Sequence, residues 1–339
     1  LCQEITLPTR PLKHIDDTNG EISLCILSAI NIGKLRGLGE LKNLCDIAVR
    51  ALDELIDYQG YPVKAAERAT RARRSLGMGF IGLAHYLAKH GVKYEDKEAL
   101  TLVHELTEAF QYHLIEASCQ LAKEKGACDD YVETKYYKGQ LPIDHYKTEV
   151  DSLVAPEYNL DWDALRERVA EYGLRNSTLT AQMPSESSSV VCNATNGVEP
   201  PRDFLSIKVS KKGTLKQIVP GYPHIKNNYT LLWDMPSMDG YLNIMAVIQK
   251  FFDQSISTNT SYNPQHFEGN EVPATVLMGD LLKSYQLGLK TLYYQNTYDG
   301  KGEEDVEVND LHAEPSSVGG LSAEDLLELD DEECTSCSI

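Results

Sequence analysis

The stretch Leu1-Cys2-Gln3-Glu4-Ile5-Thr6-Leu7-Pro8 opens the chain and places a thiol two residues from a carboxylate. Its apolar flanks predict an extended segment, in which side chains two positions apart point to the same side. We therefore expect Cys2 and Glu4 to face one cavity together. A thiol can supply a proton, an electron or a hydrogen atom, and a nearby carboxylate can move protons. Taken alone, the motif is more typical of a cysteine that packs as a small buried hydrophobic residue and has no catalytic role.

A second thiol lies in a strand-like run a short distance downstream. Residues 22–32 are apolar and rich in branched side chains, which predicts a buried strand that contains Cys25. A structural cysteine is again the ordinary interpretation. The chain has eight cysteines in 339 residues, which does not indicate a disulfide scaffold in a chain of this size without a secretory signal. Cys45 and Cys119 lie on the apolar stripes of predicted helices and are expected to be packing residues.

Length and charge restrict the class of protein. A chain of 339 residues can bury a large core in one or two domains. Its formal charge is −19, and residues 301–339 hold 13 acidic and one basic residue, which is −12 of that total. So acidic a chain is a poor candidate for nucleic-acid binding, and its tail is predicted to be disordered.

No apolar run is long enough to span a bilayer, so we expect a cytoplasmic protein. The start at Leu1 predicts a processed, split or truncated chain.

Hydrophobic periodicity predicts most of the remaining elements. The predicted helices are 40–58, 64–74, 95–125, 161–171, 241–255 and 272–288. The predicted strands are 177–183, 256–262 and 289–297, and residues 204–220 are predicted to form a hairpin. The run Gly77-Met78-Gly79-Phe80-Ile81-Gly82 fits the GxGxxG pattern. No strand is predicted before it, so it favours a close helix or loop packing site over a dinucleotide-binding loop.

The loop Pro184-Ser185-Glu186-Ser187-Ser188 follows a predicted strand and opens a short helix. The first N–H groups of a helix have no partner within it, and the helix dipole there favours an anion. The loop therefore predicts a phosphate cradle. A serine-rich helix cap is an equally common explanation for such a motif alone.

Two further pairs of residues carry possible redox chemistry. Tyr293 and Tyr294 are neighbours in the last predicted strand, where adjacent side chains are expected on opposite faces as amphipathic packing. Cys334 and Cys337 form a CxxC pair in the acidic tail, which is typical of a redox dithiol or of half a zinc site. No second ligand pair lies nearby, so the pattern favours the redox dithiol over a metal site or an accident.

Taken together, these stretches resemble the C-terminal half of the large subunit of class I ribonucleotide reductase. The runs that carry the resemblance are Leu1-Cys2-Gln3-Glu4, the run 162–184 with Gly173-Leu174-Arg175-Asn176, the loop 184–188, the runs 193–201 and 292–297, and the terminal cysteine pair. The resemblance implies an α/β fold, the C-terminal half of the family's ten-stranded α/β barrel. Residues 1–298 would form that half, starting at the finger loop, with peripheral helices and a hairpin. Residues 299–339 would form a flexible acidic tail.

The resemblance also implies roles for single residues. Cys2 matches the cysteine that becomes a thiyl radical and takes the ribose 3′ hydrogen, and Glu4 matches the base on the 3′ hydroxyl. Cys25 matches one of two thiols that reduce the sugar after its 2′ hydroxyl leaves as water. Tyr294 and then Tyr293 match the pair that relays an electron and a proton to the cysteine.

Two further sets of residues have implied roles. The residues Pro184, Ser185, Glu186, Ser187 and Ser188 match the loop that binds the substrate diphosphate, with Ser187 where relatives often have Thr. Cys334 and Cys337 match the tail dithiol that reduces the active-site disulfide, although relatives often space that pair more widely.

The implied activity is the reduction of ribonucleoside diphosphates to 2′-deoxyribonucleoside diphosphates for DNA synthesis. The implied partners are the N-terminal half of the large subunit, a metal-containing small subunit that supplies the radical, and a thioredoxin or glutaredoxin. No metal or cofactor is expected in this chain. The second active-site thiol and the allosteric nucleotide sites are expected upstream, so the chain should be inactive alone. Two alternatives stay open: a non-catalytic module that binds the small subunit or a redoxin, and a CxxC metal module.

Overall fold

Two long helices form the centre of the helical layer because each presents apolar side chains three and four residues apart. The computed structural model describes residues 2–210 and 213–299. Helix α1 (Leu41–Tyr58) packs on α4 (Lys97–Lys125), which also contacts α5 (Trp162–Tyr172) and α7 (Asp239–Phe251). The face that α1 buries includes Leu41, Cys45, Val49, Leu52 and Ile56. Cys45 on α1 and Cys119 on α4 are therefore confirmed as packing residues.

The remaining α-helices of the described residues are shorter than α1 and α4. They are α2 (Lys64–Arg73), α3 (Leu83–Lys89), α6 (Glu186–Val191) and α8 (Ala274–Gln286). The six predicted helices are confirmed with ends that differ by at most four residues. Helix α3 was not predicted, since it is short and begins directly at Gly82. None of the described helices has the length and apolarity that a membrane crossing requires.

Four of the strands in the described residues form two parallel pairs. Strand β1 (Ile26–Asn31) pairs in parallel with β2 (Leu76–Ile81), and β5 (Thr260–Tyr262) pairs in parallel with β6 (Gln295–Thr297). Parallel bridges from Met78 to Thr180 and from Gln182 to Ile256 join the two pairs through the segments between them. The predicted hairpin is confirmed as antiparallel strands β3 (Leu205–Ser210) and β4 (Gly213–Ile218).

The predicted strand at 177–183 is only partly regular. Bridges form at Thr180 and Gln182, but no continuous ladder does. Side chains replace part of the ladder: the Asp253 carboxylate accepts a hydrogen bond from the Leu179 N–H, and the Asp253 N–H donates to the Thr180 hydroxyl. The strands predicted at 256–262 and 289–297 are likewise regular only near their ends, as β5 and β6.

The GxGxxG run provides close strand packing. Its first two glycines lie within β2, a fully buried strand that was not predicted. A Cβ on Gly77 would lie 2.5 Å from Leu27 Cδ2 and 2.7 Å from Cys25 Sγ, and one on Gly79 would lie 2.8 Å from the Ala181 carbonyl oxygen. The expected packing role is therefore confirmed, but its setting is a strand rather than a helix or loop.

Gly77→Ala is expected to lower the free energy of unfolding by about 1–3 kcal/mol, because the added methyl overpacks a buried contact. Urea unfolding of the chain measures the change. Gly279→Ala in α8 is the matched control, since no atom of the described residues lies within 4 Å of the position that its methyl would take; there alanine should stabilise the helix by about 0.5–1 kcal/mol. Equal stability of the Gly77 variant and the native chain would contradict the packing role.

The residues Cys2–Tyr298 form one compact unit. The predicted disorder of the tail concerns residues 299–339, which lie outside the described residues apart from Asp299. Cys334 and Cys337 therefore lie outside the described part of the chain.

Candidate active site

The N-terminal segment is fixed against the strand segment that precedes β5. The Ser255 N–H donates to the Glu4 carbonyl at 2.9 Å. The Gln3 N–H donates to the Ser257 hydroxyl at 3.0 Å, and the Thr291 hydroxyl donates to the Gln3 carbonyl at 3.0 Å. These bonds fix the opening stretch, but the chain bends at Gln3, so the predicted extended segment with Cys2 and Glu4 on one side is not formed there.

Cys2 and Glu4 occupy different environments within this segment. The Glu4 side chain belongs to a residue that is 1% exposed, and its carboxylate accepts a hydrogen bond from the Ser257 hydroxyl at 2.5 Å. Cys2 is exposed, so its interpretation as a buried packing residue is wrong. A buried carboxylate with a hydroxyl donor can accept a proton from a bound ligand, and an exposed thiol can react with that ligand.

Tyr293 and Tyr294 stack on each other. Their ring centroids lie 3.9 Å apart with an interplanar angle of 35°. The predicted opposite orientation is wrong because both residues precede β6 and lack regular strand geometry. The pKa of Tyr293 is raised by its hydrogen bond with Tyr294, by burial, and by the charge and hydrogen bond of Cys2. Side chains thus connect Tyr294, Tyr293 and Cys2 in that order.

Cys25 faces the same site from the position just before β1. The predicted buried strand that contains this thiol is therefore wrong: the strand begins at Ile26 and is only partly buried. The Gln254 side-chain amide donates to Cys25 Sγ at 3.3 Å. Burial raises the pKa of the Cys25 thiol to about 12; the Gln254 hydrogen bond lowers it and the Glu4 charge raises it. Gln254, which bonds Cys25, and Ser255, whose N–H bonds the Glu4 carbonyl, are neighbours in sequence, so the segments that carry the two residues meet here. Cys25 therefore remains protonated at neutral pH and can donate a hydrogen atom or a proton.

The serine loop leads into α6 without a side-chain cap. Ser185 is the N-cap residue of α6, but its side chain caps no helical N–H, and its hydroxyl donates to the Met183 carbonyl at 3.3 Å. The Ser188 hydroxyl donates to the Ser185 carbonyl at 3.2 Å. The explanation as a serine side-chain cap is therefore wrong. Glu186, Ser187 and Ser188 are exposed at the first turn, where backbone N–H groups have no partner within the helix.

A continuous series of hydrogen bonds joins this loop to the tyrosine pair. The Ser185 N–H donates to the Asn196 side chain at 3.3 Å, and the Asn196 amide donates to Glu199 at 3.1 Å. The Asn259 amide donates to the other Glu199 oxygen at 2.6 Å, and the Tyr294 N–H donates to the Asn259 side chain at 3.0 Å. Burial raises the pKa of Glu199. The loop and the tyrosines thus belong to one site.

Several of these polar residues were not predicted as site residues. They are Asn196, Glu199, Gln254, Ser257, Asn259 and Thr291. One signal could have found Gln254 and Ser257: they lie in a run of polar residues, 253–255 and 257–261, next to a strongly apolar helix. Polar side chains that are buried need hydrogen-bond partners, so such a run indicates a network.

Comparisons with known proteins show the family of this chain. The family model described as "Ribonucleotide reductase, barrel domain" matches residues 1–295. The ribonucleoside-diphosphate reductase subunit alpha of Haemophilus influenzae is 58% identical over 310 residues, which are 91% of this chain and 41% of that protein. Ribonucleoside-diphosphate reductase 1 subunit alpha of Escherichia coli is 55% identical over 300 residues, which are 88% of this chain and 39% of that protein.

A more distant relative gives the same result. The ribonucleoside-diphosphate reductase subunit alpha of Enterobacteria phage T4 is 44% identical over 312 residues, which are 91% of this chain and 41% of that protein. The chain thus spans about two fifths of the length of these relatives. The α/β barrel predicted from the sequence is confirmed by the family model. The chain belongs to the ribonucleotide reductase barrel-domain family.

Proposed function

We propose that this chain supplies the C-terminal half of the catalytic barrel of a ribonucleoside-diphosphate reductase. In that role it reduces ribonucleoside diphosphates to 2′-deoxyribonucleoside diphosphates for DNA synthesis. The observation that carries the proposal is the direct connection of Tyr294, Tyr293 and Cys2 beside a buried carboxylate and a second thiol. Relatives that are 55% and 58% identical are named as alpha subunits of this enzyme.

The proposed chemistry divides between three residues. Cys2, as a thiyl radical, takes the hydrogen from the ribose 3′ carbon while Glu4 accepts the proton of the 3′ hydroxyl. The 2′ hydroxyl then leaves as water. Cys25 and a partner thiol supply two electrons and become a disulfide, and Cys2 returns the hydrogen to the sugar. The burial of Glu4 and its bond to Ser257 support the base role, because a fixed carboxylate needs no reorganisation to accept the proton.

The tyrosine pair is proposed to carry the radical to Cys2. A phenol that loses an electron must lose its proton as well, and stacked phenols in hydrogen-bond contact can exchange both. The 3.9 Å separation of the Tyr293 and Tyr294 rings supports this relay. Tyr294 is 48% exposed and is therefore the member of the pair that a radical-supplying small subunit could reach.

The loop 184–188 is proposed to bind the substrate diphosphate. Its support is the exposed first turn of α6, where small hydroxyl side chains and N–H groups that have no partner within the helix favour an anion. The bond from the Ser185 N–H to Asn196 fixes the loop relative to the tyrosine pair. A ribose between the two would then lie over Cys2 and Glu4.

The assembly needs further components. We propose the N-terminal half of the large subunit as the source of the second active-site thiol and the allosteric nucleotide sites, and a metal-containing small subunit as the source of the radical. Residues 1–298 act as the barrel half and residues 299–339 as the acidic tail, whose dithiol a thioredoxin or glutaredoxin recycles. The assembled enzyme is proposed to work in the cytoplasm.

Reconstitution tests the proposed function. The chain is co-expressed with the N-terminal part of a large subunit, mixed with a small subunit and a redoxin, and assayed for deoxyribonucleoside diphosphate formation. Turnover by the mixture, and none by the chain alone, is expected. A correctly assembled complex that binds the small subunit without any turnover would reject the proposal in favour of a non-catalytic module.

Cys334→Ser is expected to remove turnover supported by thioredoxin while leaving turnover supported by a small dithiol. The reason is that a buried active-site disulfide needs a mobile dithiol to reach it, whereas a small reductant reaches it directly. Steady-state assays with each reductant measure the effect, and Cys128→Ser serves as a thiol control outside the tail. Equal loss with both reductants would contradict the shuttle role.

A further inference from the structure

Gln254 is a buried amide at the meeting point of three segments. It lies at the start of the strand segment that follows α7 and is 0% exposed. The Thr6 N–H donates to its side-chain oxygen at 3.2 Å. Its side-chain nitrogen donates to the Leu76 carbonyl at 3.1 Å and to Cys25 Sγ at 3.3 Å. One side chain thus contacts the N-terminal segment, strand β2 and the second thiol.

The orientation of this amide is fixed by its two backbone partners. Thr6 offers a donor, which requires the amide oxygen, and Leu76 offers an acceptor, which requires the amide nitrogen. A flipped amide would place oxygen against oxygen and N–H against N–H. The second N–H of Gln254 is therefore directed at the Cys25 sulfur and cannot be exchanged for the carbonyl oxygen.

The backbone of Gln254 is held as well. Its N–H donates to the Thr180 carbonyl at 3.0 Å. Its carbonyl accepts from the Gln249 amide at 2.8 Å and from the Lys290 ammonium group at 2.9 Å. Because both the backbone and the side chain are fixed, the N–H keeps its place when the charge on the sulfur changes, which is the property that preorganised electrostatic stabilisation requires.

We propose that Gln254 is a positioning residue for Cys25 that stabilises negative charge on its sulfur during re-reduction of the active-site disulfide. The inference rests on the proposed function. In that step an incoming thiolate of a dithiol forms a bond to the partner cysteine's sulfur, and the bond between that sulfur and Cys25 breaks. The electron pair leaves on Cys25, which then takes a proton. Exchange is faster when the leaving thiolate is better stabilised.

The reactivity of Cys25 towards iodoacetamide tests the role without any turnover. The full chain is alkylated between about pH 7 and 9.5, where the reactive thiolate is a minor form of the thiol, and the Cys25 peptide is quantified by mass spectrometry. Gln254→Met removes the N–H at similar length, and the alkylation rate is expected to fall about tenfold, the effect of one hydrogen bond to a charged group. An unchanged rate would overturn the inference.

Two further variants separate charge stabilisation from packing. Gln254→Glu keeps an oxygen for Thr6 and nearly the same shape, but it replaces the N–H at the sulfur with a carboxyl oxygen, so its alkylation rate should lie below that of the native chain at every pH and at or below that of Gln254→Met. A rate equal to that of the native chain would overturn the inference. Gln111→Met is the matched control, because Gln111 is an equally buried amide whose nitrogen donates to the Tyr136 hydroxyl rather than to a thiol. It should leave the profile unchanged, and a loss as large as that of Gln254→Met would assign the effect to the loss of a buried amide in general and overturn the inference.

The reconstituted enzyme distinguishes this inference from the proposed function. With native turnover established, Gln254→Met should lower the steady-state rate about tenfold when the dithiol is limiting, because the leaving sulfur is less stabilised. If the native assembly is active and Cys25 in Gln254→Met is alkylated as fast as in the native chain, only the role of Gln254 is rejected. If the native assembly is inactive but Gln254→Met slows the alkylation of Cys25, the proposed function is rejected and the action of the N–H on the sulfur is supported.

Discussion

Cys2→Ser is expected to abolish diphosphate reduction by the reconstituted enzyme, lowering kcat by about a thousandfold or more, which corresponds to about 4 kcal/mol. A hydroxyl of similar size can keep the hydrogen bond to Tyr293. It cannot form a stable radical at this site, because its O–H bond is far stronger than an S–H bond. Only the hydrogen-atom transfer is therefore removed, while the fold and the assembly remain.

The matched control for this substitution is Cys192→Ser. Cys192 is also an exposed thiol, at the end of α6 and outside the loop proposed to bind diphosphate. It should leave turnover within about twofold of the native rate, as expected for a surface substitution. Product formation and binding of the small subunit are measured for both variants. If Cys2→Ser kept substantial turnover, Cys2 would not be the residue that attacks the sugar, and the radical chemistry would have to start elsewhere.

The helical layer could be predicted from the sequence because amphipathic spacing is a local signal. The end of α1 at Tyr58 and the end of α4 at Lys125 match their predicted positions. Strand β2 was missed because its glycines are typical of loops, and only its neighbours reveal why they are there: a side chain at Gly77 would collide with Cys25. The other parallel strand segments are regular only in part, since side chains such as Asp253 take the place of ladder bonds.

In the candidate site, too, local sequence patterns predict some features, whereas others depend on residues that lie far apart in the sequence. Motifs and the family resemblance predicted Cys2, Glu4, Cys25 and the tyrosine pair as site residues, but not the residues that hold them in place. The bond from Ser257 to Glu4 spans 253 residues of sequence, and the bond from Gln254 to Cys25 spans 229. No pattern within either stretch predicts its partner. The stacking of Tyr293 on Tyr294 was also missed, because strand alternation applies only where the backbone is a regular strand.

The thiols show why burial alone does not identify function. Cys25 and Cys128 both have a pKa raised to about 12 by burial. The charges of Asp130, Arg175 and Asp129 act on Cys128, as that of Glu4 acts on Cys25. Of these two thiols, only Cys25 has a side-chain amide donor at its sulfur among the described residues, and that donor is the basis for proposing it as the reactive thiol.

Tyr293→Phe is expected to lower turnover about a thousandfold or more while leaving assembly with the small subunit intact. Phenylalanine keeps the ring that stacks on Tyr294 at 3.9 Å, so packing is preserved. It lacks the hydroxyl that contacts Cys2 and Tyr294. The raised pKa of Tyr293 keeps its phenol protonated at neutral pH, so an electron can leave only together with a proton, and phenylalanine has no such proton to give.

Tyr294→Phe should have the same effect, because a relay fails when either member cannot take part. Tyr137→Phe is the matched control: Tyr137 is also an exposed tyrosine that contacts a second one, Tyr131, with ring centroids 5.6 Å apart, and it takes part in none of the described contacts of Cys2 or Cys25. Turnover is measured in the reconstituted assay and assembly by sedimentation. Loss of turnover in the Tyr137 variant would show that the assay reports general damage. Substantial turnover in either Tyr293→Phe or Tyr294→Phe would mean that the radical reaches Cys2 by another route, and the contact between Tyr293 and Cys2 would then be structural.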